Sequence, residues 1–83
     1  MQNTYQIDVQ AQCPVNQKDI DLYTFTIESA KVIEVERIIA FFDGNAKRAV
    51  FQETLTQECA VTLGAQVTSV GYHSGVRVTC VAP

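Results

Sequence analysis

Tyr5-Gln6-Ile7-Asp8-Val9-Gln10-Ala11-Gln12-Cys13 alternates apolar and polar residues without a break, and Pro14 follows. A period of two is that of a half-buried β-strand, so Tyr5, Ile7, Val9, Ala11 and Cys13 share the inward face. Pro14 cannot donate to a ladder and biases Cys13 toward an extended conformation, so the strand ends there. A thiol is thereby set at a strand terminus.

Working outward, Asn16 to Asp19 reads as a turn, and Leu22 to Ile27 as a second strand with Tyr23, Phe25 and Ile27 on one face. Val35, Ile38, Ile39 and Phe42 then fall at the spacing of an amphipathic helix, which Asp43-Gly44-Asn45 is expected to stop. Glu34 and Glu36 lie in its first turns, where negative charge offsets the helix dipole. Phe51, Leu55, Cys59 and Leu63 recur at four-residue steps and mark a second helix closed by Gly64. Val67 to Tyr72 and Val76 to Val81 read as two further strands joined by a tight turn at His73-Ser74-Gly75. The order β-β-α-α-β-β predicts an α+β domain over residues 1–83, with two helices on one face of a four-stranded antiparallel sheet.

A chain of 83 residues buries a smaller share of its surface than a typical domain. Self-association through exposed sheet edges, extending the sheet toward a barrel, is therefore expected. A net charge of −3 provides no broad positive field, and Lys47-Arg48 reads as a solvated pair, so no nucleic-acid partner is expected. No apolar run approaches the roughly 20 residues of a membrane span, and Met1-Gln2-Asn3-Thr4 does not look like a signal peptide. The three cysteines, Cys13, Cys59 and Cys80, are too few and odd in number for a disulfide framework. A cytoplasmic location, with no membrane partner, is the expectation.

The candidate site residues each admit a structural and a chemical reading. Cys13 is a small buried hydrophobe or a nucleophile whose thiolate needs a nearby cation or helix N-terminus. Glu53, where the second helix begins, offsets the helix dipole or serves as a bidentate acceptor for an amide N–H and an exocyclic amine. That donor pair is the edge shared by guanine, deazaguanine and pterin rings. Asp19 and Asp21 face water beside a turn or act as a proton-delivering acid. His73 is an exposed hairpin residue or an acid–base group at an interface. Cys13, Cys59, Cys80 and His73 lack the pairwise spacing of a metal site, so no metal is assigned. The glycines do not form a phosphate-binding loop.

The element order, with Cys13-Pro14-Val15-Asn16 and Phe51-Gln52-Glu53, resembles the tunnelling-fold superfamily. Within it, the chain is most similar to the 7-cyano-7-deazaguanine reductase group of queuosine-type metabolism. There a Cys-Pro-Val-Thr-type turn carries the nucleophile and a Phe-His-Glu segment the base-binding glutamate. The resemblance implies that Cys13 attacks a nitrile to form a thioimide, that Phe51 and Glu53 bind the heterocycle, and that an aspartate after the turn delivers a proton. It also implies that Gly71-Tyr72-His73-Ser74-Gly75-Val76 forms a late hairpin near the site. Three positions depart from the pattern. The aspartate's place is Ile20, flanked by Asp19 and Asp21, and Gln52 stands for histidine. Glu34-Val35-Glu36-Arg37-Ile38-Ile39 replaces the lysine-bearing stretch associated with NADPH, so the cofactor is left unknown.

The sequence therefore points to a small tunnelling-fold protein that binds a deazapurine- or pterin-like heterocycle, with thiol chemistry at Cys13. Two alternatives stand beside it. One is a non-enzymatic oligomeric or interaction domain on the same scaffold. The other is a metal-assisted GTP cyclohydrolase-like enzyme using Cys13, His73 or Cys80.

Overall fold

A computed structural model describes residues 1–12, 15, 20–45 and 49–83. Cys13, Asp19 and the Lys47-Arg48 pair lie outside the described residues. The elements are β1 (Asn3–Gln12), β2 (Ile20–Ser29), α1 (Val35–Asn45), α2 (Gln52–Leu63), β3 (Gln66–His73) and β4 (Val76–Ala82). The strands form one antiparallel sheet in chain order, β1-β2-β3-β4, and both helices are inserted between β2 and β3. The expected α+β architecture is the one observed.

The alternation read from Tyr5 onward sets the register. Tyr5, Ile7, Val9 and Ala11 pair with Ile27, Phe25, Tyr23 and Asp21, and the same face continues into Val67, Ser69 and Gly71 of β3. The helices cover this face. Phe25, Ile27, Val67 and Cys59 are fully buried, joined by Ile38, Phe42, Leu55 and Leu63. Phe42 meets Phe25 edge-on with ring centroids 4.8 Å apart. Burying a side chain such as Phe25 contributes about 1.5–3 kcal/mol, so this layer supplies most of the driving force for the fold. The opposite face carries cross-strand polar pairs, with Thr24 donating to Asp8 at 2.7 Å and Gln6 to Thr26 at 3.2 Å.

α1 ends within the expected Asp43-Gly44-Asn45 stretch, at Asn45, whose side chain turns back and donates to the Phe41 carbonyl at 2.7 Å. Of the four apolar residues on its stripe, Ile38 and Phe42 are buried, while Val35 and Ile39 remain exposed. The helix therefore presses only part of its apolar surface on the sheet. α2 ends as anticipated, with Gly64 in the left-handed region at φ 63° and Ala65 N–H bonded to the Ala60 carbonyl at 3.2 Å.

Alternating strand direction brings the end of β1, the start of β2, the end of β3 and the start of β4 to the same end of the sheet. An isolated parallel bridge between Gln12 and Ala49 ties the end of β1 to the segment that enters α2. These four strand ends and the segment entering α2 thus meet at one end of the molecule. None of the helices among the described residues is long and apolar enough to cross a membrane.

Candidate functional site

The first turn of α2 organises this end of the molecule. Phe51, with extended backbone at φ −66° and ψ 145°, precedes the helix, is exposed, and accepts Leu55 N–H at 3.0 Å. Glu53 is also exposed, so its carboxylate and the Phe51 ring are both open to a ligand. Between them Gln52 turns inward and is only 1% exposed.

Gln52 is a buried amide with its hydrogen-bonding capacity used. Its Nε2 donates to the Ser69 carbonyl at 3.2 Å, to Ser69 Oγ at 3.0 Å and to the Val78 carbonyl at 3.1 Å. Its Oε1 lies 2.8 Å from His73 Nε2. Thr56 extends the network one helical turn on, donating to the Gln52 carbonyl at 2.6 Å and sharing a 2.6 Å bond with Ser69 Oγ. No described buried side-chain nitrogen or oxygen is left without a partner, which is what makes such a polar cluster tolerable beneath a helix.

His73 is a strand residue here, which corrects its expected place in the turn. The turn consists of Ser74 and Gly75, both at positive φ (51° and 84°), the pattern of a two-residue hairpin whose twist matches the strands. His73 is consequently held on two sides: Nε2 faces Gln52, and Nδ1 lies 3.4 Å from Asp21 Oδ2. Its ring also packs against Tyr23 at 5.7 Å. Tyr23 in turn donates to the same Asp21 oxygen at 3.2 Å. Asp21, opposite Ala11 on the core-facing side of β2, is a partly buried acceptor rather than a solvated turn residue, its side chain 12% exposed.

Glu53 acquires a neighbour that sequence spacing does not suggest. Cys80 of β4 donates its S–H to Glu53 Oε1 across 3.8 Å. Burial and the negative charge of Glu53 push the Cys80 thiol above its ordinary value, so it stays protonated near neutral pH. Cys59 is pushed up to about 12 by burial alone, in keeping with its reading as helix core. Neither thiol has the environment of an activated nucleophile.

The structure therefore brings Asp21 and His73 together and sets Glu53 and Phe51 on the adjoining first turn and N-terminal flank of α2. Cys13 and Asp19 lie outside the described residues; Gln12, the residue before Cys13, is bridged to Ala49, two residues before Phe51. Gln52, Ser69, Thr56 and Tyr23 were not singled out as site residues in the sequence. A glutamine at a helix start carries no sign of burial in the residues around it. For a metal, the donors are dispersed: His73 is engaged by Gln52 and Asp21 and Cys80 by Glu53, and no group of three His, Cys, Asp or Glu side chains converges among the described residues.

No protein-family model matches the sequence, and no curated protein matches it significantly. Among solved structures, the chain is similar to the apo form of the archaeosine synthase QueF-Like, with a TM-score of 0.84 and 20% identity. The likeness covers 98% of this chain and 90% of that one. At that identity the likeness bears on the fold alone, the β-β-α-α-β-β arrangement shared along nearly the whole of this chain.

Proposed function

We propose that this chain binds a planar deazapurine- or pterin-like heterocycle at the end of the sheet where β1 and β2 meet the start of α2. Glu53 accepts the amide N–H and exocyclic amine of the ring, Phe51 offers an apolar ring beside it, and Cys13 reacts with a nitrile substituent. The observation that carries this reading is the Gln12–Ala49 bridge, which ties the strand leading to Cys13 to the segment leading to Phe51 and Glu53. The fold shared with an archaeosine synthase of the QueF-Like type supports the same ligand class.

The chemistry is an addition. The Cys13 Sγ–carbon bond forms as one carbon–nitrogen π bond of the nitrile opens, and the thiol proton ends on nitrogen, so no group leaves. The product is a thioimide whose mass is that of protein plus intact ligand. Asp21 is the candidate acid among the described residues: its carboxylate accepts from Tyr23 and lies 3.4 Å from His73 Nδ1. Copies of the chain join through the outer edges of β1 and β4, the first and last strands of the sheet.

Incubation with 7-cyano-7-deazaguanine, followed by intact-mass spectrometry and calorimetry, tests the reading. The expected result is saturable binding, weakened at least about tenfold in Glu53→Ala, a loss of about 1.4 kcal/mol or more. An adduct of the full ligand mass should form and be absent from Cys13→Ala. Neither binding nor adduct would overturn the proposal and leave the non-enzymatic oligomeric domain as the better account.

A further inference from the structure

The polar cluster under α2 contains an orientation device. Gln52 Nε2 is surrounded by three oxygens, two of them backbone carbonyls. Reversing the amide would set its oxygen against those carbonyls, so the amide has one acceptable orientation, with Oε1 toward His73. An amide oxygen only accepts. His73 Nε2, 2.8 Å away, must then carry hydrogen whether the ring is neutral or charged.

That constraint fixes the other nitrogen as the one that exchanges protons. Nδ1 faces Asp21 Oδ2 at 3.4 Å, and Tyr23 donates to the same oxygen. On the elements packed around the ring, the groups that face it are Asp21 and Tyr23 from β2 and Gln52 from α2, with Val76 opposite on β4. We infer that Gln52 is a positioning residue: it locks the proton of His73 onto Nε2 so that Nδ1 and Asp21 hold a single exchangeable proton between them.

This inference rests on the heterocycle site only in its consequence. In the proposed addition, the thiol proton is taken up by the Asp21–His73 pair and returned to the nitrile nitrogen, so the pair is unchanged at the end of the step. Gln52 acts through His73.

Imidazole nitrogen shifts of the uniformly ¹⁵N-labelled protein, followed across pH, read the assignment directly. The expected result for the parent chain is a single Nε2–H species in the neutral form, coupled to a slowly exchanging proton. Gln52→Leu should release the ring to average between both tautomers, whereas Asp21→Asn should leave the Nε2–H species in place. Averaged shifts in the parent, or a single Nε2–H species surviving in Gln52→Leu, would overturn the inference. Where Gln52→Leu fails to fold, the parent and Asp21→Asn spectra decide, since a neutral ring carrying its proton on Nδ1 in either contradicts the lock. With 7-cyano-7-deazaguanine, Gln52→Leu should slow adduct formation at least tenfold with little change in the Kd. A parent that forms no adduct would refute the proposed function, while the nitrogen shifts would still judge the role of Gln52.

Discussion

Replacing Gly71 by alanine should destabilise the protein and disturb the Asp21–His73 pair in one stroke. Gly71 lies directly across the β2–β3 ladder from Tyr23, and its missing side chain is what lets the Tyr23 ring lie over the strand. A Cβ there would run into Tyr23 Cδ1, stand 2.5 Å from Cε1 and lie 3.3 Å from the Leu22 carbonyl. Tyr23 is 2% exposed and wedged between Phe25, at 6.3 Å edge-on, and His73, at 5.7 Å. It has little room to retreat. In an open strand the substitution would stabilise by roughly 0.5–1 kcal/mol through backbone entropy, whereas overpacking a closed site costs roughly 1–3 kcal/mol. The clash wins, with a net loss of about 1–2 kcal/mol. For a domain of this size that lowers the Tm by roughly 4–16 °C.

Urea unfolding of four proteins isolates the cause: the parent, Gly71→Ala, Tyr23→Leu and the double variant. Once the ring is gone, the alanine should be neutral or mildly stabilising, giving a coupling of about 1–3 kcal/mol between the two positions. Additive costs, or a Gly71→Ala protein as stable as the parent, would refute the argument that the glycine exists to seat Tyr23.

Further outcomes follow from the same network and from the buried thiols. Ser69→Ala removes a partner from both Gln52 Nε2 and the buried Thr56 hydroxyl, and should cost about 1–3 kcal/mol in urea unfolding; an unchanged midpoint would mean that the cluster is not under tension for partners. The Cys59 thiol, raised from 9.0 to about 12, stays protonated in the folded chain while the unfolded chain ionises. Its contribution is therefore complete below pH 9 and is lost as the pH rises toward 12, by up to about 4 kcal/mol. Cys59→Ala should show a shallower decline across that window, and parallel curves would contradict the assignment. Because the Glu53 charge raises the Cys80 thiol, Glu53→Gln should make Cys80 alkylate several-fold faster with iodoacetamide at pH 8, as peptide mapping would show. A slower or equal rate would mean that the two side chains do not interact in solution.

The strands were legible because each carries its own pattern: the alternation from Tyr5 to Ala11 and the core run Tyr23, Phe25 and Ile27 both require one face to meet the helices. The four-residue steps of α2 and Gly64 at its end were equally local signals. α1 was read less well. Its stripe specifies a face, but how much of that face is covered depends on where the helix sits over the sheet, and Val35 and Ile39 stay exposed. The place of His73 is hidden in the sequence for a similar reason. Gly75 marks the turn, yet the ladder reaches one residue further than the glycine suggests, and His73↔Val76 is its last pair.

The order and character of the elements, and the presence of Glu53 at a helix start, were determined by the sequence alone. These properties depend on residues within a few positions of one another, where backbone geometry and periodicity act directly. What joined Asp21 to His73, turned Gln52 inward and set Cys80 beside Glu53 was the tertiary structure. Those pairs span up to 52 positions along the chain, and hydrogen-bond partners at such separations are chosen by strand register and helix placement. A glutamine that reads as a surface residue in sequence thus becomes, once β3 and β4 are beneath it, the buried group on which the neighbouring histidine turns.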